Sequence, residues 1–163
     1  MTLPATLSAR TSRRVAWAVA ITVVLLDQAS KAWVITHLQP GLNHAFLPGL
    51  FALRPVLNTG AAFSLFANAT TWLAAMSLLV SVAVAIWISR LQRSGLLRVL
   101  GAALVLGGAF GNGLDRWRLG SVVDFLAFLP FDFPVFNLAD VAINLAVLCL
   151  AIDLFQPHGS APD

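Results

Sequence analysis

The sequence contains no glutamate, a single cysteine and few charges of any kind. Its acids are seven aspartates against ten lysines and arginines, for a formal net charge of +3. Without glutamate there is no His-Glu-x-x-His zinc motif. Of the three histidines, His158 is near the C-terminus, and His37 and His44 have no third ligand near them, so neither a metal nor a cofactor is expected. Cys149 allows no intrachain disulfide and reads as a small hydrophobe inside an apolar run. No serine stands in a nucleophile-elbow context. Ser30 adjoins Lys31, but adjacent helical residues point about 100° apart, which excludes a Ser-Lys catalytic pair. Charged residues make up 10% of the chain and apolar residues 59%. A soluble domain needs more polar surface than this, and the bilayer is the natural solvent. The arginines lie in short clusters between apolar runs, unlike the basic face of a nucleic-acid binder.

The 163 residues suffice for one domain. Four apolar stretches reach the roughly 20 residues that cross a bilayer. They lie near 15–35, 71–89, 96–114 and 136–155, giving a four-helix domain over 15–155 with tails at 1–14 and 156–163. The first stretch follows Arg10, Arg13 and Arg14 as in a signal peptide, yet it continues through Ala32, Trp33, Val34 and Ile35 with no small-x-small cleavage site. A retained helix is expected. Arg10, Arg13, Arg14, Arg90, Arg93 and Arg98 share one side, predicted to be cytoplasmic, with both termini. The outer segments, 36–70 and 116–135, hold short β-patterned runs: Phe46–Leu47, Leu50–Leu53 and Val56–Leu57, broken by Pro48-Gly49 and Pro55, and Ser121–Phe125. The expectation is an all-α membrane protein with four transmembrane helices and a small β-sheet on its outer face.

Ionisable groups within spans are costly and suggest function. Asp27 and Lys31 are four apart on one helix face, the acid first, and neutralise and brace each other on the simplest reading. Gly107 and Gly111 give a small-xxx-small face for close helix approach. Asn112 and Arg116 share a face near the outer interface. Asn137 is placed to cap the last helix, with Asp140 at N3. Asn137, Asp140 and Asn144 form a polar stripe expected to face the bundle interior. The acids remaining near the outer face are Asp115, Asp124, Asp132 and Asp140. Two carboxylates held close share one proton, so that one activates water while the other donates to a scissile carbonyl.

Five blocks then stand out: Asp27-Gln-Ala-Ser-Lys31, Asn58-Thr-Gly-Ala-Ala-Phe63, the run Gly107–Arg116, Gly120-Ser-Val-Val-Asp124-Phe125 and Phe136-Asn-Leu-Ala-Asp140. In their order and spacing, from about residue 24 to 155, the chain closely resembles the bacterial lipoprotein signal peptidases (signal peptidase II). The resemblance implies an aspartic endopeptidase of the bacterial inner membrane that removes signal peptides from diacylglyceryl-modified prolipoproteins, cutting before the lipidated cysteine. It implies a catalytic dyad of Asp124 and Asp140, with Asp27, Lys31, Asn58, Gly60, Asn112, Arg116 and Asn137 lining or supporting the site. It further implies an outer sheet that cradles substrate at the periplasmic face, contact with membrane lipid, and inhibition by cyclic peptides such as globomycin. A monomer is expected. Within such a dyad Asp124 should carry the proton, because Asp140 opens a helix whose N-terminus favours an anion. Asp115 is expected to pair with its neighbour Arg116. The alternative is a proton- or ion-coupled transporter, which should carry acids near the midplane and in both halves of the membrane.

Overall fold

The computed structural model describes residues 6–60 and 70–156. Its order is β1 (Thr6–Leu7), α1 (Ala9–His37), β2 (His44–Leu47), β3 (Phe51–Asn58), α2 (Thr70–Ser89), β4 (Ser94–Gly95), α3 (Leu96–Leu119), β5 (Val122–Phe128) and α4 (Leu138–Leu154). Residues 1–5 and 157–163 of the expected tails, and residues 61–63 of the second motif, lie outside the described residues.

The protein is a four-helix membrane bundle bearing a small sheet. α1, α2 and α3 are long and apolar enough to cross a membrane. α4, with 17 residues, is at the lower end of the range that spans a bilayer. α1 begins six residues before the apolar stretch that predicts it. Ser8 caps it, its hydroxyl accepting the Thr11 amide at 3.2 Å. The expected tail at 1–14 is therefore structured from Thr6, where β1 pairs antiparallel with β4. The cluster Arg10, Arg13 and Arg14 hid this start, because charge interrupts the apolar pattern while leaving the backbone helical. The β1–β4 pair also joins the start of α1 to the α2–α3 turn at one end of the bundle.

α3 is the central helix, and small residues let its neighbours approach. A Cβ on Gly107 would stand 2.6 Å from Val23 Cβ of α1. On Gly108 it would stand 2.6 Å from the Ala139 carbonyl oxygen of α4. The sequence pointed to Gly107 and Gly111, and a second small face, Gly101 and Gly108, receives α4. At the other end of the seam, Ala16, Ala20, Ile88, Leu91, Val99, Ala102, Ala103 and Leu106 form the apolar core. Gly120, at φ 71°, ends α3 in the left-handed conformation that glycine adopts without strain.

The sheet has the antiparallel order β2-β3-β5. The runs predicted as separate at Leu50–Leu53 and Val56–Leu57 are one strand, β3. Pro55 does not break it, because the register shifts between Leu53 and Val56, and a bulge tolerates a residue with no amide hydrogen. β5 is pinned on its other side to the chain before α4. The Phe125 and Leu126 amides donate to the Phe136 carbonyl at 3.0 and 2.8 Å, and Phe136 N donates back to Leu126 at 3.1 Å. The residue after Phe136 caps α4, so strand and helix N-terminus are held together by backbone bonds.

Candidate active site

The first turn of α4 leaves backbone amides without intrahelical partners. Asn137 and Asp140 satisfy two of them as a capping box: Asn137 Oδ1 accepts the Asp140 amide at 2.9 Å, and Asp140 Oδ2 accepts the Asn137 amide at 3.1 Å. A third is met from α1, where Asp27 Oδ1 accepts the Ala139 amide at 3.0 Å. The side-chain amide of Asn137, fully buried, donates to Asp124 Oδ1 of β5 at 2.6 Å and to Asn112 Oδ1 of α3 at 3.0 Å. Asp124 and Asp140 thus both accept hydrogen bonds from one residue.

Each carboxylate has a second donor. Asn58 Nδ2 reaches Asp124 Oδ2 at 2.9 Å, a diagonal contact between β3 and β5, where Val56 stands opposite Asp124. Asn112 Nδ2 reaches Asp140 Oδ1 at 2.8 Å. Burial pushes the Asp124 carboxyl up to about 6; the Asn58 donor opposes this, the nearby Asp140 charge reinforces it, and Asn137 and Lys31 oppose it.

Behind the pair lies a buried ionic cluster. Lys31 Nζ contacts Asp27 Oδ2 at 2.8 Å and Asp115 Oδ2 at 2.9 Å, and donates to Asn112 Oδ1 at 3.0 Å. Asp115 Oδ2 also accepts the Val123 amide at 3.1 Å, and its Oδ1 accepts Gln28 Nε2 at 2.9 Å. The expected Asp115–Arg116 pair is therefore corrected. Successive helix positions diverge, and Asp115 turns toward α1, where it fastens β5 one residue before Asp124. Gln28, missed in the sequence reading, bridges Asp27, Asp115 and the Gly111 carbonyl. Its signal was one lysine set against two acids, which leaves carboxylate oxygens requiring further donors.

Arg116 donates to the Gly60 carbonyl at 3.1 Å and to the Asn112 carbonyl at 3.4 Å, while its buried Nε has no partner among the described residues. Gly60 N is itself held by Asn58 Oδ1 at 2.9 Å. Asp27, Lys31, Asn58, Gly60, Asn112, Arg116, Asp124, Asn137 and Asp140 are accordingly joined in one hydrogen-bonded network. Asp132 lies exposed in the turn after β5 and takes no part in it. Asn144 departs from its expectation as well. It is exposed, and its amide folds back onto the Asp140 carbonyl at 2.9 Å, so the interior stripe stops at Asp140.

The profile of the family described as signal peptidase (SPase) II matches residues 19–156. A lipoprotein signal peptidase of Synechococcus sp. (strain RCC307) is 55% identical over 135 residues, covering 82% of this chain and 89% of the relative. One from Parasynechococcus marenigrum (strain WH8102) is 48% identical, covering 85% and 87%. A bacterial membrane enzyme solved by the in meso method superposes with a TM-score of 0.80 at 26% identity, covering 86% of this chain and 87% of that one.

Proposed function

Since this chain belongs to the signal peptidase II family, we propose that it is a membrane aspartic endopeptidase acting through Asp124 and Asp140 on prolipoproteins. The observation that carries this reading is the sharing of Asn137 by two carboxylates from different elements, each with an asparagine donor on its other oxygen. Every carboxylate oxygen keeps a lone pair for water or substrate.

In the proposed mechanism Asp140, beside a helix N-terminus that favours anions, is the base, and Asp124 is the acid. Asp140 takes a proton from water as the oxygen bonds to the scissile carbonyl carbon, and Asp124 gives its proton to the carbonyl oxygen. The tetrahedral adduct then collapses with cleavage of the C–N bond: one of its hydroxyls returns a proton to Asp124 as the carbonyl re-forms, and the amine nitrogen leaves with the proton that Asp140 received. Arg116, whose buried Nε has no partner among the described residues, orients substrate carbonyls, and Asn58 and Asn112 fix the carboxylates.

The cut falls before a diacylglyceryl-modified cysteine, whose chains keep the bond at the membrane edge. The exposed side chains of Phe46, Leu47, Leu57 and Phe131 give the sheet an apolar surface suited to such a substrate. The arginine-rich end of the bundle and both termini face the cytoplasm of a bacterial inner membrane, and the dyad faces the periplasm. The enzyme works as a monomer, and cyclic peptides such as globomycin block its cleft. The test is cleavage of a lipidated precursor by purified protein. Asp124→Asn and Asp140→Asn should each abolish turnover while retaining the fold. Loss of turnover in Asp115→Asn with retention in Asp124→Asn would overturn the assignment.

A further inference from the structure

The seam between α1 and α3 contains a wholly apolar cavity of about 220 Å³, lined by Trp17, Ile21, Val24 and Leu25 of α1 and by Leu106 and Phe110 of α3. Phe110 precedes Asn112 by two residues, about 200° around the helix, so this groove is turned away from the site described above. Trp17, Ile21 and Leu25 remain exposed along it, within helices that cross the membrane.

The same face of α1 changes character toward the end of the bundle opposite the dyad. Arg10, Arg13, Arg14, Trp17, Ile21 and Val24 follow the helical spacing i, i+3, i+4, i+7, i+11 and i+14. Three cations therefore stand over one end of the groove, with Trp17 between them and the aliphatic wall. Arg13 donates to the Ser89 carbonyl at 3.3 Å, which brings Arg90 of the α2 terminus to the same edge. Among the described residues, no carboxylate lies within 4.0 Å of Arg10, Arg13, Arg14 or Arg90, and Asp153 is engaged by Arg98. The topological bias of membrane flanks accounts for cations at this edge. It does not account for their alignment over a lined groove.

We propose that this groove binds an anionic diacyl phospholipid of the bilayer, one acyl chain lying along Ile21, Val24 and Phe110 and the phosphate meeting Arg10, Arg13 and Arg14. Basic pockets between helices at a membrane edge take such headgroups, each arginine adding about fivefold in affinity. The chain supplies the apolar contact that α1 and α3 leave open, and the phosphate supplies a counter-charge that no carboxylate among the described residues gives these arginines.

The test is titration of the intact, detergent-solubilised protein with phosphatidylglycerol and with chain-matched phosphatidylcholine, adducts being counted by native mass spectrometry. Phosphatidylglycerol should bind about 25-fold or more tightly than phosphatidylcholine. Arg10→Gln/Arg14→Gln, which removes two exposed side chains, should bring it close to the phosphatidylcholine level, a loss of about fivefold per arginine. Ile21→Trp, which fills the groove, should weaken both lipids. Unchanged thermal unfolding of the lipid-free variants keeps a folding defect apart from a binding defect. Equal binding of the two lipids by the wild type, or undiminished phosphatidylglycerol binding by Ile21→Trp, would overturn the proposal. Neither readout depends on peptidase activity.

Discussion

Replacing Asn58 with alanine should move the pH dependence of cleavage without removing activity. The side chain donates to Asp124 Oδ2 at 2.9 Å, and its oxygen accepts the Gly60 amide. A hydrogen bond to a charged acceptor contributes about 1.5–3 kcal/mol. Asn58 is half-buried, so water replaces part of the lost bond, and the lower figure applies. That is about one pH unit. The sign follows from the bonded form. The donor favours ionised Asp124, so its loss favours the protonated acid and raises a carboxyl that already stands at about 6. In the proposed mechanism Asp124 must hold its proton, so the alkaline limb of kcat/KM should shift upward by about one unit. Loss of the Gly60 contact should lower the whole profile by a pH-independent factor, because Gly60 presents its carbonyl to Arg116. The assay is kcat/KM for a lipidated precursor across the limb, in wild type and Asn58→Ala. A limb that stays in place or moves to lower pH would refute the acid role of Asp124, whatever happened to the overall rate.

Asp124 also makes stability depend on pH. Its folded value lies above the ordinary 3.8, so the folded state binds the extra proton, and stability should fall as pH rises from about 4 to 6, by at most about 1.4 kcal/mol per unit. Thermal unfolding of Asp124→Asn should lack that slope, and an unchanged slope would place its origin elsewhere. Asp115→Asn leaves Lys31 with one carboxylate and weakens the tie to Val123 N, and should cost about 3 kcal/mol in denaturant unfolding while retaining some turnover. Gly108→Ala places a Cβ 2.6 Å from a backbone oxygen of Ala139, which no side-chain rotation relieves. It should push the start of α4 away from α3 and lower kcat about 100-fold, the effect of misplacing a catalytic group by about 1 Å; wild-type kcat in this variant would show that the α3–α4 spacing does not set the geometry.

What the sequence made legible was whatever depends on local pattern. The four helices follow from apolar length, the cap of α4 from Asn137 and Asp140 at N-cap and N3, and β5 from a β-branched run after a glycine. What it concealed depends on which faces meet. Asp115 was assigned to its neighbour in sequence, whereas its partners stand on α1 and β5. Asn144 shares a helical stripe with Asp140 but is exposed, because α4 turns only its first-turn polar groups toward α3. Gly108 reads as one more small residue until α4 is seen to rest on it. Pro55 reads as a break in β3 because the bulge that accommodates it exists only in the pairing with β5. The spacing of Asp27 and Lys31 predicts a bracing pair, and they do brace one another. The further task of Asp27, accepting the Ala139 amide of α4, lies 112 positions away along the chain.

The network also explains how residues this polar are held within an apolar helix bundle. Separately, each buried carboxylate would be costly. Here the donors are ones the fold must satisfy in any case. The first-turn amides of α4 need acceptors, and Asp27, Asn137 and Asp140 supply them. The Val123 amide of β5 needs one, and Asp115 supplies it. Capping a helix and anchoring a strand thus hold the network that surrounds the proposed catalytic pair. It follows that the proposed dyad is set by the meeting of α4 with β5, a junction made by the backbone of Phe125, Leu126 and Phe136 and closed by the side chain of Asn137. Asn137 belongs to the helix by its backbone and to both carboxylates by its hydrogen bonds.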